Sequence, residues 1–281
     1  MNELEFQSKA KEIFSKYNIE VNQNVLDKLH LYMKNLLEWN KVMNLTAITD
    51  EEDIISKHFL DSIIINKYIE GNRGIDIGSG AGFPGIPLKI IEDKYSLLLA
   101  DSVNKKVNFM NDSIGKIGLN NIEAIHARAE ELGQDKKYRE SFDFAMSRAV
   151  ANMATLVEYL IPLVKVGGNI YCLKGPNINE ELEDAKKAIS VLGGKIKKIL
   201  TYNIENNERS LVIISKEKKT EQTYPRKMGK PLKEPIRWFK KITVPQVTDV
   251  NYLWIFYWKN LQKVDKNKNK IYWHIIIIFI L

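Results

Sequence analysis

The stretch RGIDIGSGAGFPGIPL, residues 73–88, decides the fold prediction for this chain. A short apolar run at residues 74–77 leads into a turn with four closely spaced glycines, and a second apolar run follows. Glycine adopts backbone conformations that other residues avoid, and it lets a ligand approach the main chain. A strand, a glycine turn and a helix in this order are typical of the ligand-binding edge of an α/β sheet.

Short β-rich runs continue on the C-terminal side of the turn. The complete set lies at residues 74–77, 95–101, 122–127, 142–148, 169–175, 195–204 and 209–216. Helical runs separate all but the last two, including residues 153–168 before the fifth run, so a mainly parallel sheet is predicted. The last two runs are joined by the short polar turn ENNE and are predicted to be antiparallel neighbours. We therefore predict an α/β fold with a seven-stranded, mainly parallel sheet whose last strand is antiparallel.

The regions on either side of this sheet differ from it in character. Apolar residues recur at spacings of three and four in residues 25–43 and 51–69, which predicts helices. The predicted organisation has four parts: an N-terminal helical cap at 1–70, a Rossmann-like domain at 71–218, a basic tail at 219–236 and an atypical extension at 237–281.

Composition and charge narrow the classes of function. The chain has 281 residues, 44% of them hydrophobic, which suffices for a buried core. Its single cysteine excludes a disulfide framework and its polar N-terminus lacks a secretory signal, so we expect a cytoplasmic protein with no membrane partner. The formal net charge is +7, with the basic excess after residue 215. That strip indicates either an RNA-binding surface or a solvated tail.

The glycine turn fits two classes of cofactor. Residues 80–85, GAGFPG, match the dinucleotide pattern G-x-G-x-x-G, and Asp101 lies about twenty residues further on, as NAD or FAD would require. An earlier phase, however, places Asp76 before Gly78 and Gly80, where its carboxylate would repel a pyrophosphate. S-adenosylmethionine has no phosphate and carries positive charge, so Asp76 could hold the turn or the ammonium while Asp101 accepts the ribose hydroxyls. Gly78 and Gly80 are predicted to bind the cofactor by letting its methionine part lie against the backbone. We favour S-adenosylmethionine; an NAD or FAD oxidoreductase, a non-catalytic cofactor-binding module and a structural turn are the alternatives.

Several longer motifs resemble one known family. They are WNKVMNLTAIT, KHFLDSI, DIGSGAGFPGIPLKI, LLLADSVNKKVNFM, RAEEL, SRAVA, LVKVGG and LKG, closing on YPRKMGKPLKEPI. Together they resemble the RsmG (GidB) family of bacterial 16S rRNA methyltransferases over roughly residues 1–236. The resemblance implies a class I S-adenosylmethionine-dependent methyltransferase fold with a helical cap. It also implies methylation of N7 of guanosine 527, in the 530 loop of 16S rRNA, with the small ribosomal subunit or its assembly intermediate as partner. We expect the enzyme to be a monomer.

The resemblance places cofactor contacts on Gly78, Phe83, Ala129, Glu130 and Arg148. Phe83 would form a wall beside the methionine part, Ala129 and Glu130 would suit the adenine, and Arg148 would meet the cofactor carboxylate or an RNA phosphate. Core packing for Phe83 and a surface ion pair for Arg148 are the alternatives.

Methylation of N7 predicts little acid–base machinery. This atom carries a lone pair and no proton, so transfer needs no general base, and no catalytic residue is assigned. The histidines lack metal-ligand spacing, and no metal is predicted. His58 and Asp61, three residues apart, would either reach the pocket or bind each other. Cytosine-C5 methylation would need a cysteine nucleophile, but Cys172 lies in the middle of a strand and is interpreted as a buried core thiol.

The basic residues near the site are candidates for reading RNA. Guanine presents N7 and O6 as acceptors, which Arg and Lys recognise. The candidates are Lys174, Arg139, Arg148, Arg226, Lys227 and Lys230. Our hypothesis is that the basic strip acts as an RNA clamp.

Residues 237–281 lie beyond the resemblance. They show no clear helical or strand spacing, and their apolar terminus, HIIIIFIL, is shorter than the ~20 residues that span a bilayer. Their composition favours translation past a frameshift in an AT-rich gene; an extension that binds a membrane surface or a partner is the alternative.

Overall fold

A seven-stranded sheet organises the chain. The computed structural model describes residues 1–148, 150–176 and 178–237, so the predicted extension lies outside the described residues except for Arg237. The strands are β1 Arg73–Ile77, β2 Ser96–Asp101, β3 Ile122–His126, β4 Phe142–Arg148, β5 Val164–Lys174, β6 Gly194–Ile204 and β7 Asn207–Lys216. Each β-rich run of the sequence forms one strand.

The order of the strands is β3-β2-β1-β4-β5-β7-β6. The pairs among β1 to β5 are parallel, whereas β7 runs antiparallel to both β5 and β6. The predicted sheet and its reversed last strand are thereby confirmed. The order changes direction between β1 and β4, and ligands of open α/β sheets bind beyond the carboxyl ends of the strands at such a point.

Helices cover both faces of the sheet. They are α1 Glu3–Ser15, α2 Gln23–Asn40, α3 Glu51–Asp53, α4 Asp61–Ile63, α5 Gly85–Ile91, α6 Asn104–Ile117, α7 Ala129–Gln134, α8 Met153–Leu160, α9 Ile178–Val191 and α10 Lys230–Lys233. Phe144 of β4 packs in the cluster that includes the N-terminal helices, α5 and α6, whereas its neighbour Ala145 packs with α8 and α9. Burial on both faces explains why inner strands such as β2 and β4 are mainly apolar, whereas the edge strand β6 is largely exposed and carries lysines.

The fifth strand begins earlier than predicted. The helical pattern extends to residue 168, but α8 ends at Leu160, a short 3-10 helix follows at Ile161–Leu163, and β5 starts at Val164. Pro162 cannot donate a helical hydrogen bond. Gly168 passes so close to β4 that a Cβ atom there would lie 2.2 Å from the carbonyl oxygen of Asp143. The glycine thus allows this part of the chain to pair as a strand.

The predicted helix at residues 51–69 is interrupted. A π-helix, Ile54–Leu60, joins α3 to α4, and a 3-10 helix follows at Asn66–Tyr68. π-helical turns are rare and occur often at functional sites. Here the segment brings His58 and Asp61 together against Arg148, at the end of β4. The cap therefore contributes side chains to the carboxyl edge of the sheet.

Candidate cofactor site

The glycine turn after β1 needs glycine for its backbone and for a close contact. Gly78, Gly80 and Gly82 have φ angles of 69°, 61° and 88°, in the left-handed region. A Cβ atom on Gly78 would also lie 2.4 Å from Cγ2 of Val150. The turn therefore exposes main-chain atoms, without side chains, where the order of the strands changes direction between β1 and β4.

Two carboxylates hold the turn in place. Asp76 Oδ2 accepts from Gly85 N at 3.0 Å, Asp101 Oδ2 accepts from Gly80 N at 2.9 Å, and Asp101 Oδ1 accepts from Val103 N at 2.9 Å. Asp76 is fully buried beneath the turn, which raises its pKa to about 7. Among the residues that the structure describes, its Oδ1 has no hydrogen-bond partner. Of its two predicted roles the geometry shows the first, holding the turn. Because burial favours the neutral form of this carboxyl, the argument that its charge selects the ligand is weakened.

The larger cavity beside the turn has a volume of about 460 Å³. Five predicted site residues line it: Gly78, Gly80, Phe83, Asp101 and Arg148. The cap adds Thr46 and His58, and α6 adds Lys106. This volume lies within the usual range for small-molecule sites.

A smaller cavity of about 220 Å³ adjoins the first. Both are lined by Gly78 and Asp101, so the two form one crevice along the ends of β1 and β2. Ala129 and Glu130, predicted to suit an adenine, line the smaller cavity. Every predicted site residue except Asp76 therefore lines this crevice.

Arg148 connects the cap to the sheet. Its Nη1 donates to Asp61 Oδ2 at 3.1 Å, and its Nη2 donates to His58 Nδ1 at 3.2 Å. The guanidinium carbon lies 4.7 Å from the centroid of the Phe83 ring, on which His58 stacks at 4.5 Å. The alternative of a surface ion pair is wrong, because Asp61 is buried. His58 and Asp61 bind Arg148 rather than each other.

The electrostatics of His58 follow from this packing. Burial, and then the nearby guanidinium of Arg148, lower the pKa of His58 to about 3. The imidazole is therefore neutral at physiological pH.

The segment after β7 takes part in the site, which the sequence did not indicate. We name residues 220–234 the C-terminal strap. Its Gly229 and Leu232 line the smaller cavity, and Gly229 N donates to Glu130 Oε1 at 2.9 Å. The glycine at position 229, within the motif YPRKMGKPLKEPI, is a sequence signal that could have predicted a turn here, since its φ of 76° lies in the left-handed region that favours glycine.

Buried arginine contacts hold the strap. Arg226 donates from Nε and Nη2 to the two oxygens of Glu158, at 2.8 and 2.7 Å, and Glu158 is fully buried. Arg139 donates to four carbonyl oxygens, those of Gly133, Thr220, Glu221 and Tyr224. Arg139 and Arg226 are thus engaged inside the protein, whereas Lys227 and Lys230 of the basic strip are exposed. The RNA-clamp hypothesis for that strip stays a prediction.

Other candidate residues are also occupied. Lys174 Nζ donates to the Ala151 carbonyl at 2.7 Å and to Glu181 at 2.6 Å. Cys172 is fully buried in β5, which raises the pKa of its thiol to about 12 and keeps it unreactive.

Over the described ranges, no group of three or more His, Cys, Asp or Glu side chains is arranged to hold a metal ion. None of the helices in that same part of the chain has the length and apolar character needed to cross a membrane.

A family model and curated relatives agree on one family. A family model described as rRNA small subunit methyltransferase G matches residues 25–212. The ribosomal RNA small subunit methyltransferase G of Clostridium perfringens (strain 13 / Type A) is 48% identical over 224 residues, which cover 78% of this chain and 94% of that protein. That of Clostridium novyi (strain NT) is 47% identical over 224 residues, covering 78% and 92%. Among solved structures, TrmN from Thermus thermophilus is 14% identical and aligns with 58% of this chain and 53% of its own, with a TM-score of 0.44.

The family match extends from α2 to within β7 and includes the glycine turn, Asp101, Glu130 and Arg148. The predicted family is confirmed, and with it the prediction of an S-adenosylmethionine-dependent methyltransferase. The chain belongs to the rRNA small subunit methyltransferase G family.

Proposed function

We propose that this chain transfers the methyl group of S-adenosylmethionine to N7 of guanosine 527 in the 530 loop of 16S rRNA. The observation that carries the proposal is the crevice along the ends of β1, β2 and β4, in a chain of this family. The substrate is the small ribosomal subunit or its assembly intermediate, and the enzyme acts as a monomer in the cytoplasm.

The residues along the crevice fit this cofactor. In the proposed arrangement the larger cavity takes the methionine part between the glycine turn and Phe83, and the smaller one takes the adenine beside Ala129 and Glu130. Asp101 lies where the cavities meet, and each of its oxygens accepts one backbone amide and keeps a lone pair for a ribose hydroxyl. The bound cofactor supplies a methyl group bonded to a sulfonium. The positive charge on the sulfur makes this methyl group reactive toward a lone pair.

The chain contributes positioning and exclusion of water. N7 of guanine has no proton to remove, so a general base is not required. His58, although it lines the cavity, is unsuited to that role because Arg148 donates to its Nδ1 and its pKa is lowered to about 3. Phe83 and the stacked imidazole form an apolar wall, and Arg148 keeps that wall in place.

The test is methyl transfer with labelled S-adenosylmethionine to 16S rRNA and to isolated small subunits, followed by mapping of 7-methylguanosine. We expect label on guanosine 527 and none on RNA that carries adenosine there. Label on another nucleotide would contradict the position. Binding of NAD without binding of S-adenosylmethionine in calorimetry would contradict the cofactor.

A further inference from the structure

Thr46 lies at the edge of the larger cavity, and hydrogen bonds to its backbone fix the place from which its hydroxyl projects. Thr46 lines that cavity together with His58 and Phe83. Asn40 clamps the main chain of Thr46: its Oδ1 accepts from Thr46 N at 3.1 Å, and its Nδ2 donates to Thr46 O at 3.0 Å. The side chain therefore projects from a fixed point of the cap.

The position of one proton in the neighbouring network follows from Arg148. A guanidinium has donors only. Because Arg148 Nη2 donates to His58 Nδ1 at 3.2 Å, this ring nitrogen must be the one without a proton. The proton of the neutral imidazole is then on Nε2. Asp61 accepts from Nη1 of the same guanidinium at 3.1 Å and so holds Arg148 in position, while the donors of Arg148 set the direction of the hydrogen bonds that follow.

This direction leaves the Thr46 hydroxyl with a proton and no free lone pair. His58 Nε2 donates to Thr46 Oγ1 at 2.8 Å, and Ile48 N donates to the same oxygen at 3.0 Å. A hydroxyl has two lone pairs and one proton. In the part of the chain that the structure describes, no acceptor pairs with that proton, and the cavity lies beside it.

We propose that Thr46 is a substrate-specificity residue whose hydroxyl donates a hydrogen bond to O6 of the target guanine; this rests on the proposed function. Guanine presents an acceptor at O6, whereas adenine presents the N6 amino donor at the same place. A hydroxyl whose lone pairs are both occupied cannot accept from that amino group, so it favours guanine over adenine. Donation to O6 leaves the N7 lone pair free for the methyl group. Asp61, Arg148 and His58 are positioning residues that act through Thr46.

The experiment compares two RNA substrates with the full-length chain. One carries guanosine at the methylated position, and the other carries 2-aminopurine, which keeps N7 but lacks O6. For the unmodified enzyme we expect kcat/KM to be about 10-fold lower with 2-aminopurine, the size of one lost hydrogen bond in a closed site. Thr46→Val should lose about 10-fold on guanosine and nothing further on 2-aminopurine. Thr46→Ser, which keeps the hydroxyl, should retain activity on guanosine.

Separate measurements distinguish the possible failures. The affinity of Thr46→Val for S-adenosylmethionine, measured by calorimetry, should stay within about twofold of the original value. Equal losses on both RNAs would overturn the assignment to O6. A loss explained by weaker cofactor binding would overturn it too, by assigning the hydroxyl to the cofactor carboxylate. Failure of the unmodified enzyme to methylate N7 of guanosine would instead overturn the proposed function.

Discussion

At the scale of single residues, Gly78 combines a left-handed backbone with a close contact. We predict that Gly78→Ala weakens binding of S-adenosylmethionine at least about 10-fold, because the new Cβ would push Val150, which borders both cavities, into the crevice. Gly118→Ala is the matched control. Gly118 has a φ of 68°, and a Cβ there would meet no atom within 4 Å. Calorimetry should show nearly unchanged cofactor affinity for the control; equal losses would mean that backbone strain alone is responsible.

Arg148 has a structural role as well as a place in the cavity wall. We predict that Arg148→Ala lowers the free energy of unfolding by about 3 kcal/mol, because it leaves the buried carboxylate of Asp61 without its main partner. The double variant Asp61→Asn, Arg148→Ala should recover much of that loss in urea unfolding, since no uncompensated charge remains. A single variant as stable as the original protein would show that the pair is not needed for folding.

At the scale of elements, the π-helix places a neutral histidine in a buried position. The folded-state pKa of His58, about 3, lies below its ordinary value of 6.5. Between these values the unfolded chain binds a proton that the folded chain does not, so His58 makes stability rise with pH over this window and fall as pH drops. We predict that His58→Asn makes the free energy of unfolding depend less steeply on pH, by at most about 1.4 kcal/mol per pH unit. Urea unfolding at pH 4.5 and 6.5 checks this prediction; equal slopes would contradict it.

At the scale of the whole molecule, the C-terminal strap brings a segment that follows the last strand to the crevice proposed to bind the cofactor. We predict that Arg226→Ala weakens binding of S-adenosylmethionine about 10-fold, because the strap loses its bidentate contact with Glu158 while Gly229 and Leu232 line the cavity. The neighbouring Lys227 is exposed, so Lys227→Ala should leave cofactor affinity unchanged and lower the salt dependence of rRNA binding.

The Arg226→Ala and Lys227→Ala variants also test the hypothesis that the whole basic strip, including Arg226, acts as an RNA clamp. If Arg226→Ala left cofactor affinity intact and reduced the salt dependence of rRNA binding, the clamp would be supported and the cofactor role of the strap would be wrong.

Local patterns were sufficient to predict most elements of the fold. The β-rich runs predicted all seven strands of the sheet. Inner strands are rich in apolar residues because both their faces are buried, and the exposed edge strand β6 is recognisable by the β-branched and aromatic residues between its lysines. In two places the prediction of an element from the local sequence was wrong, because contacts with other elements determine the structure there. β5 starts before residue 169 because Gly168 packs against Asp143 of β4. The predicted helix at 51–69 contains a π-helix, whose His58 meets Arg148 together with Asp61, the first residue of α4.

The sequence by itself determined the sheet and the glycine turn, since these depend on backbone preferences in short stretches, and its longer motifs indicated the family and with it the class of cofactor. Only the tertiary structure decided which side chains are buried and which partners they bind. It placed Asp76 beneath the turn, turned Arg139 and Arg226 inward, and ordered the hydrogen bonds from Asp61 to Thr46. The physical reason is that burial and hydrogen-bond direction depend on partners distant in sequence, and no local pattern encodes which partner a side chain meets.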